Sequence, residues 1–368
     1  NGTISNVAVS GVLTVTGSHQ DVGGIVGDMD NGVIENSSSD MNLLVEGDND
    51  IIGGLVGAGR GSFTGSFATG EIASKGNNDI GGFIGSLGAG SITTSYASGD
   101  ISAEGEGGAV GGFAGVSFAG TTIDHSYATG NLSGGEVSYG GGFIGDNHGT
   151  IDHSYSTGNV SAGFVRGGFA GVNNGSIDES YETGTMGEGT GPAGGFVGQN
   201  DGTLGASVAD YFKTSSLSGS GTVFGGTGDA VGLTSAQMLD SANFVGWTFG
   251  ITPGAPGWVV VDTDGSLNNN AGSGGTTPML LTEYSTNIAN AHQLQLANLD
   301  PSENYNLVAD IDASRTESGG DVWGTAGFIP VGGNGSSSLL TGTFDGQGHT
   351  ISWLYMNTDS TYVGLFGR

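Results

Sequence analysis

The chain has 368 residues, 78 of them glycine, 6 proline and none cysteine, and its 36 acidic against 6 basic side chains give a formal net charge of -30. A surface of that sign repels nucleic-acid phosphates and anionic lipid and attracts divalent cations, which argues against nucleic acid as a partner and against membrane insertion. Scarce proline and the lack of an every-third-residue glycine exclude collagen, the regular return of apolar residues excludes a solvated coil, and the lack of cysteine excludes disulfide staples and thiol chemistry.

No run approaches the ~18 apolar residues of a membrane-spanning helix. The opening Asn1-Gly2-Thr3-Ile4 has neither the basic nor the apolar region of a signal peptide, so the sequence is expected to be an excerpt of a longer product. In chain order, Gly2 to Gly11 aligns with Gly149 to Gly158 and lacks only a preceding glycine pair. That pair belongs to a Gly-Gly-apolar-apolar-Gly core opening at Gly23, Gly53, Gly81, Gly111, Gly141, Gly167 and Gly194, in steps of 30, 28, 30, 30, 26 and 27 residues. Such a period marks a repeat protein in which each unit buries its apolar face against its neighbours.

Within a unit the reading is β. Ser95, Ala97, Gly99 and Ile101 alternate with Tyr96, Ser98 and Asp100, the period of a strand with the first set inside and Tyr96 outside. Interior glycines at ~1 kcal/mol each relative to Ala disfavour a helix. Short strands bent at Gly-Gly and Asn-Gly corners predict an all-β fold, a right-handed parallel β-helix with coils of 26–30 residues stacked at ~4.8 Å. Stacking makes one core ladder of Phe83, Phe113, Phe143, Phe169 and Phe196, and another of Ile92, Ile123, Ile151 and Ile177. The glycine pair before each Phe is expected to mark a bend where a neighbouring backbone comes close.

The repeats are expected over residues 1–205, an irregular module end with a short helix over 206–285, and the start of a next β-helix module over 286–368. In the irregular part Thr234-Ser235-Ala236-Gln237 reads as a capping box. Phe244, Trp247, Phe249 and Trp258 read as a small apolar plug beside the solenoid, and Trp258 to Val261 as a strand. Ile288, Leu294, Leu296 and Leu299 suggest a short helix or turn, and Tyr305 to Asp312 and Thr341 to Met356 suggest strands. The closing Tyr362 to Arg368 supplies the front half missing from the first unit, so the expected partners are neighbouring copies or repeats joined end to end.

Three sets of residues invite chemistry. Asp124-His125-Ser126 and Asp152-His153-Ser154 carry the letters of a catalytic triad, but consecutive residues of one strand cannot form its relay. Gly65, Thr94 and Glu179 stand where the histidines do, which reads as an exposed, variable position. Asp124, Asp152 and Asp178 share one position in three consecutive coils, as a solvated acidic ladder, as a calcium site relieving like-charge repulsion, or as the paired carboxylates that glycoside hydrolysis uses. Tyr96, Tyr127, Tyr155 and Tyr181, with Phe67 in the same register, form a ladder that, facing outward, would stack on sugar rings; its structural reading is cross-strand stabilisation of the sheet. Thr69, Thr129, Thr157 and Thr183 would serve an ice- or mineral-binding face.

Units such as Gly141 to Val160, with the pattern Gly-Gly-Phe-Ile-Gly, Gly-Thr-Ile and Ser-Tyr-x-Thr-Gly-x-Val, resemble the GLUG motif of large bacterial surface proteins. Thr343-Phe344-Asp345-Gly346-Gln347-Gly348-His349-Thr350-Ile351 and Gly364-Leu365-Phe366-Gly367 extend the resemblance to secreted adhesins of the filamentous-haemagglutinin type. The resemblance spans roughly residues 1–205 and 286–368. It implies an extracellular or surface-attached β-helix stalk that works in attachment, aggregation or biofilm; the residues themselves lead to the expectation of no enzymatic activity and of no cofactor beyond calcium at the Asp ladder. GLUG units also accompany metalloproteases, whose zinc-binding His-Glu-x-x-His the sequence lacks. The rival reading is a polysaccharide-binding or polysaccharide-cleaving β-helix protein.

Overall fold

The computed structural model describes residues 2–135, 137–214, 217–268, 275–317, 321–333, 339–358 and 362–367. Arg368, on which the expected end-to-end continuation turns, lies outside them. Strand takes up 44% and helix 6% of the chain, which makes it all-β, and its centre is a parallel β-solenoid of about seven turns, consistent with a right-handed β-helix. The chain divides into two compact units, Asn1–Gly232 and Leu233–Arg368.

In the first unit every coil repeats one course, illustrated by Asp79–Gly81, Ile84–Thr93, Tyr96–Ala97 and Ile101–Ala103. These strands stack into three parallel sheets of 7, 13 and 12 strands. The register confirms the repeat at each of its seven corners, since Gly23, Gly53, Gly81, Gly111, Gly141, Gly167 and Gly194 pair in succession. The corner needs both glycines for want of space. A Cβ on Gly81 would overlap the carbonyl oxygen of Ile84 in its own turn, and one on Gly82 would overlap the carbonyl oxygen of Gly112 in the next coil.

The second glycine also fixes the cross-section. A Cβ there would come within 3.0 Å of the Ala97 methyl on the facing strand, so the coil is pinched between Gly82 and Ala97. The interior accordingly forms two apolar columns. One holds the Phe and Ile ladders, the other Ile52, Ile80, Val110, Ile72, Ile101 and Leu132. Phe83, Phe113, Phe143, Phe169 and Phe196 are wholly buried and stack with centroids 4.8–4.9 Å apart, the coil spacing itself. Burying each such ring contributes about 1.5–3 kcal/mol.

The solenoid runs beyond the expected end near Gly205. Ser220–Val223 pairs in parallel with Val197–Asn200, and Tyr211–Lys213 with Tyr181–Glu182. The side-chain pattern stops while the backbone goes on coiling: Gly219 takes the hydrogen bond from Phe196 N, and Phe212 fills the core from the opposite strand, over Gly195.

In the second unit the expected capping box is present: Thr234 Oγ1 accepts from Gln237 N at 3.3 Å and Gln237 Oε1 accepts from Thr234 N at 2.9 Å, opening the 3-10 turn Gln237–Leu239. Phe244, Trp247, Phe249 and Trp258 do cluster, with Trp247 and Trp258 stacked at 4.5 Å. Trp258–Val259 pairs antiparallel with Met279–Leu280, and the helix Ala291–Leu296 is capped by Asn290, whose side chain accepts from Gln293 N. The strands expected further on are short and parallel: Tyr305–Leu307 lies between Asn287–Ile288 and Phe344–Asp345, and Ile311–Asp312 pairs with Ile351–Ser352. Among the described residues no helix is long and apolar enough to cross a membrane.

Candidate functional site

The aromatic ladder is in register as expected, Phe67, Tyr96, Tyr127, Tyr155 and Tyr181 pairing coil to coil and continuing to Tyr211. Its geometry corrects the sugar-stacking reading. Successive rings lie face to face with centroids 4.7–5.1 Å apart and planes within 4–9°, so both faces of Tyr96, Tyr127 and Tyr155 are already taken by the rings above and below. The outward-facing platform is not open either: Tyr96 is half-buried, and Tyr127, Tyr155 and Tyr181 are 5%, 0% and 0% exposed. Thr129, Thr157 and Thr183 are buried as well, which removes the flat threonine face.

The Asp-His segments lie on the first turn beyond the Ile ladder. The position of His125 and His153 is a left-handed corner rather than a merely exposed one: φ is 47° at His125, 42° at His153 and 45° at Glu179, and Asn6, Asn36, Gly65 and Thr94 take the same conformation in the other coils. Asn and Gly are the residues that adopt it most readily, and their presence in the early coils is the sequence signal for it. Stacking the corners brings the two imidazoles together, with centroids 4.6 Å apart and planes 11° from parallel, and both side chains are mostly buried.

Carboxylates surround this pair. Asp124 Oδ1 lies 2.7 Å from His125 Nδ1 and 3.3 Å from His153 Nδ1, while Asp152 Oδ1 is 3.1 Å from His153 Nδ1 and Glu179 Oε2 3.2 Å from His153 Nε2. Burial alone would lower the His153 pKa, but Asp124, Asp152 and Glu179 outweigh it and push it up to about 12. Burial would likewise raise Asp124, and the contacts and charge of His125 and His153 hold it well below the usual carboxylate range. The serines of these segments are engaged elsewhere: Ser126 and Ser154 each donate to a backbone carbonyl, those of Asp124 and Asp152, where a relay would have them donate to an imidazole.

Asp124, Asp152 and Asp178 are in register, but they are not three bare carboxylates around a common point. Asp178 accepts from the backbone N–H of Ser207 and Val208 at 3.0 and 2.9 Å, and the other two face imidazoles. The oxygen-only cage that calcium favours is therefore replaced by a mixed nitrogen and oxygen set. Donor atoms of Asp124, His125 and His153 lie within 4.8 Å of one another and form the one cluster of metal-binding type among the described residues.

Residues 76–102 match the GLUG motif. No curated protein matches the chain, and no solved structure does. The GLUG match covers one turn of the solenoid, from the strand Asp79–Gly81 through Ile84–Thr93 and Tyr96–Ala97 into Ile101–Ala103, so the motif corresponds here to a coil.

Two ladders running through the GLUG-type coils escape a reading of chemistry-bearing letters. Ser37, Ser66, Ser95, Ser126, Ser154 and Ser180 are buried, and each hydroxyl accepts from the backbone N–H one coil back while donating to the carbonyl two residues earlier, as Ser95 Oγ does to Thr93 O at 3.0 Å. Asp210 ends the series, accepting from Ser180 N and Gly205 N, and burial raises its pKa well above the ordinary value. Inside the coils Ser117, Asn147, Asn173 and Asn200 form a second ladder, with amide-to-amide bonds of 2.8 and 3.0 Å. Their signals are the Ser before each aromatic and the Asn two residues before Gly149, Gly175 and Gly202. In the second unit His292 is buried between Glu283 and Asp321, at 2.7 and 3.1 Å; these carboxylates overcome the effect of burial and push its pKa up to about 10.

Proposed function

We propose that this chain is a structural and adhesive repeat segment of an extracellular bacterial surface or fibre protein, acting in attachment, aggregation or biofilm without catalysis of its own. The GLUG match and the β-solenoid fit a repeat-containing structural protein. The observation that carries the reading is the continuity of the ladders: Phe, Tyr, Ser and Asn columns spend their side chains on the adjoining coil and the Gly column pairs with it through the backbone, as a stiff scaffold requires. The resemblance to filamentous-haemagglutinin-type exoproteins supports the extracellular setting, and the acidic, cysteine-free composition suits folding outside the cell without a redox partner. The partners such a scaffold takes are further coils at its ends, from neighbouring repeats or copies, and glycans or other cell-surface molecules along its sides.

Display of the chain on a non-adherent bacterium tests the adhesive role. Displaying cells are expected to sediment faster, or to be retained more under flow on polysaccharide- or protein-coated surfaces, than cells displaying an unrelated acidic protein at equal density. Equal sedimentation and equal retention would remove attachment and aggregation from the reading and leave only a scaffold.

A further inference from the structure

We propose that Asp124, His125 and His153 form a site for a divalent first-row transition metal of the zinc class, bridging two consecutive coils. The donor atoms are a carboxylate oxygen and two imidazole nitrogens brought together by coil stacking, all within 4.8 Å of one another. Two atoms of the set, Asp124 Oδ1 and His153 Nδ1, are buried 3.3 Å apart with no hydrogen bond aligned on either among the described residues. A cation seated among these donors would take the place of the imidazole protons they now share and engage the carboxylate and both rings at once.

The spacing fits a small ion. Ligands held at about 2.0 Å in a tetrahedron stand about 3.3 Å from each other, and within the set Asp124 Oδ1 lies 2.7 Å from His125 Nδ1 and 3.3 Å from His153 Nδ1. Both rings lie in near-parallel planes 4.6 Å apart at their centroids, so closing them onto one ion requires each ring to tilt out of the stack about its side-chain torsions, which for imidazole are broad. Charge points the same way: Asp124, Asp152 and Glu179 bring three negative charges to two imidazoles, and a dication in place of the Nδ1 protons balances more of them. Nitrogen donors select zinc-class ions over calcium and magnesium, which want oxygen alone. Three protein ligands leave a fourth position for water.

Untagged, chelator-treated chain titrated with Co2+ at pH 8 tests the site through the visible d–d bands of bound cobalt. The wild-type chain is expected to bind one Co2+, released by Zn2+ but not by a large excess of Ca2+. His125→Asn and His153→Asn keep the left-handed corner that Asn6 and Asn36 adopt in earlier coils, and each is expected to weaken binding about 100-fold. His148→Asn, which alters a histidine paired with Asp146 instead, should bind as wild type does. Absence of cobalt binding by the wild-type chain, displacement by Ca2+, or binding unchanged in both corner variants would each overturn the proposal. Thermal melting supplies a second readout: Zn2+ should raise the midpoint of the wild-type chain and leave the two corner variants unmoved, and an equal rise in all three would overturn it as well.

Discussion

Glu182 shows how a single residue departs from the repeat and sets a pH dependence. It pairs in register with Ser156, at the inward position that Ala97 and Ala128 occupy in earlier coils, and it is 1% exposed. Burial raises its pKa to about 8, against the opposing pull of Lys213 and of the backbone N–H groups of Lys213 and Gly184. The folded state therefore holds the proton more tightly than the unfolded chain. Stability from this group is complete below the unfolded carboxylate value of about 4.3 and is lost as pH rises through the folded value. Glu182→Gln should flatten that loss, raising stability at pH 9 by on the order of a few kcal/mol while changing little at pH 4. Denaturant midpoints across that range would check it, and parallel slopes for variant and wild type would count against it; His292, whose raised pKa gives a slope of the same sign at higher pH, is common to both proteins. At this scale the sequence was legible where residues repeat and opaque where they deviate. The triad letters stand in consecutive residues of one strand and corner, and Asn6, Asn36 and Gly65 hold the clue to the left-handed corner. That His125 and His153 share Asp124 depends on side-chain directions at that corner, which alternation along a strand cannot convey.

At the scale of the coil, the glycine pair does the shaping. A Cβ on Gly142 would overlap the carbonyl oxygen of Gly168 and stand 3.1 Å from Ser156 Oγ. Its φ is not in the left-handed region, so the obstacle is space, and relief requires two coils to move apart. Gly142→Ala is expected to cost about 1–3 kcal/mol or more. Gly225→Ala, in the same unit with nothing within 4 Å of its added methyl, should cost well under 1 kcal/mol. Chemical unfolding of both variants distinguishes them, and equal midpoints would contradict the pinched cross-section. The Phe and Ile ladders and the glycine corners could be placed from sequence because each coil repeats its side chains at one spacing. The last coil could not: past Gly205 the pairing of Ser220–Val223 is made by backbone groups, which carry no letter, and Phe212 replaces the missing ladder ring from a different strand. The tyrosine ladder could be placed in register but its closed ring faces could not be read from sequence, for a related reason. Period-2 alternation says which side of a strand a ring leaves from, and not that rings repeated at the coil spacing will close their faces on one another.

For the whole molecule, a solenoid with nearest-neighbour contacts should tolerate loss of a complete coil and fail on loss of part of one. Deleting residues 112–141 removes one 30-residue step and joins Gly111 to Gly142, the residue that would follow it in register, since Gly111 and Gly141 are paired. Phe83 then meets Phe143, Ile92 meets Ile151 and Tyr96 meets Tyr155, each pair of like kind. The shortened chain is expected to keep the β circular-dichroism signature and cooperative unfolding, with stability lower by no more than one coil's interfaces. It should lose the proposed metal site, because Asp124 and His125 leave with the coil. Deleting residues 112–126 instead places Tyr127 directly after Gly111, so that a tyrosine falls at the crowded position of Gly112 and Ala128 falls where the core Phe113 belongs, and shifts every later column by half a turn. That chain should lose cooperative unfolding or aggregate. If both deletions behave alike, folded or unfolded, stability does not reside in coil-to-coil ladders and the scaffold reading of the molecule falls with it.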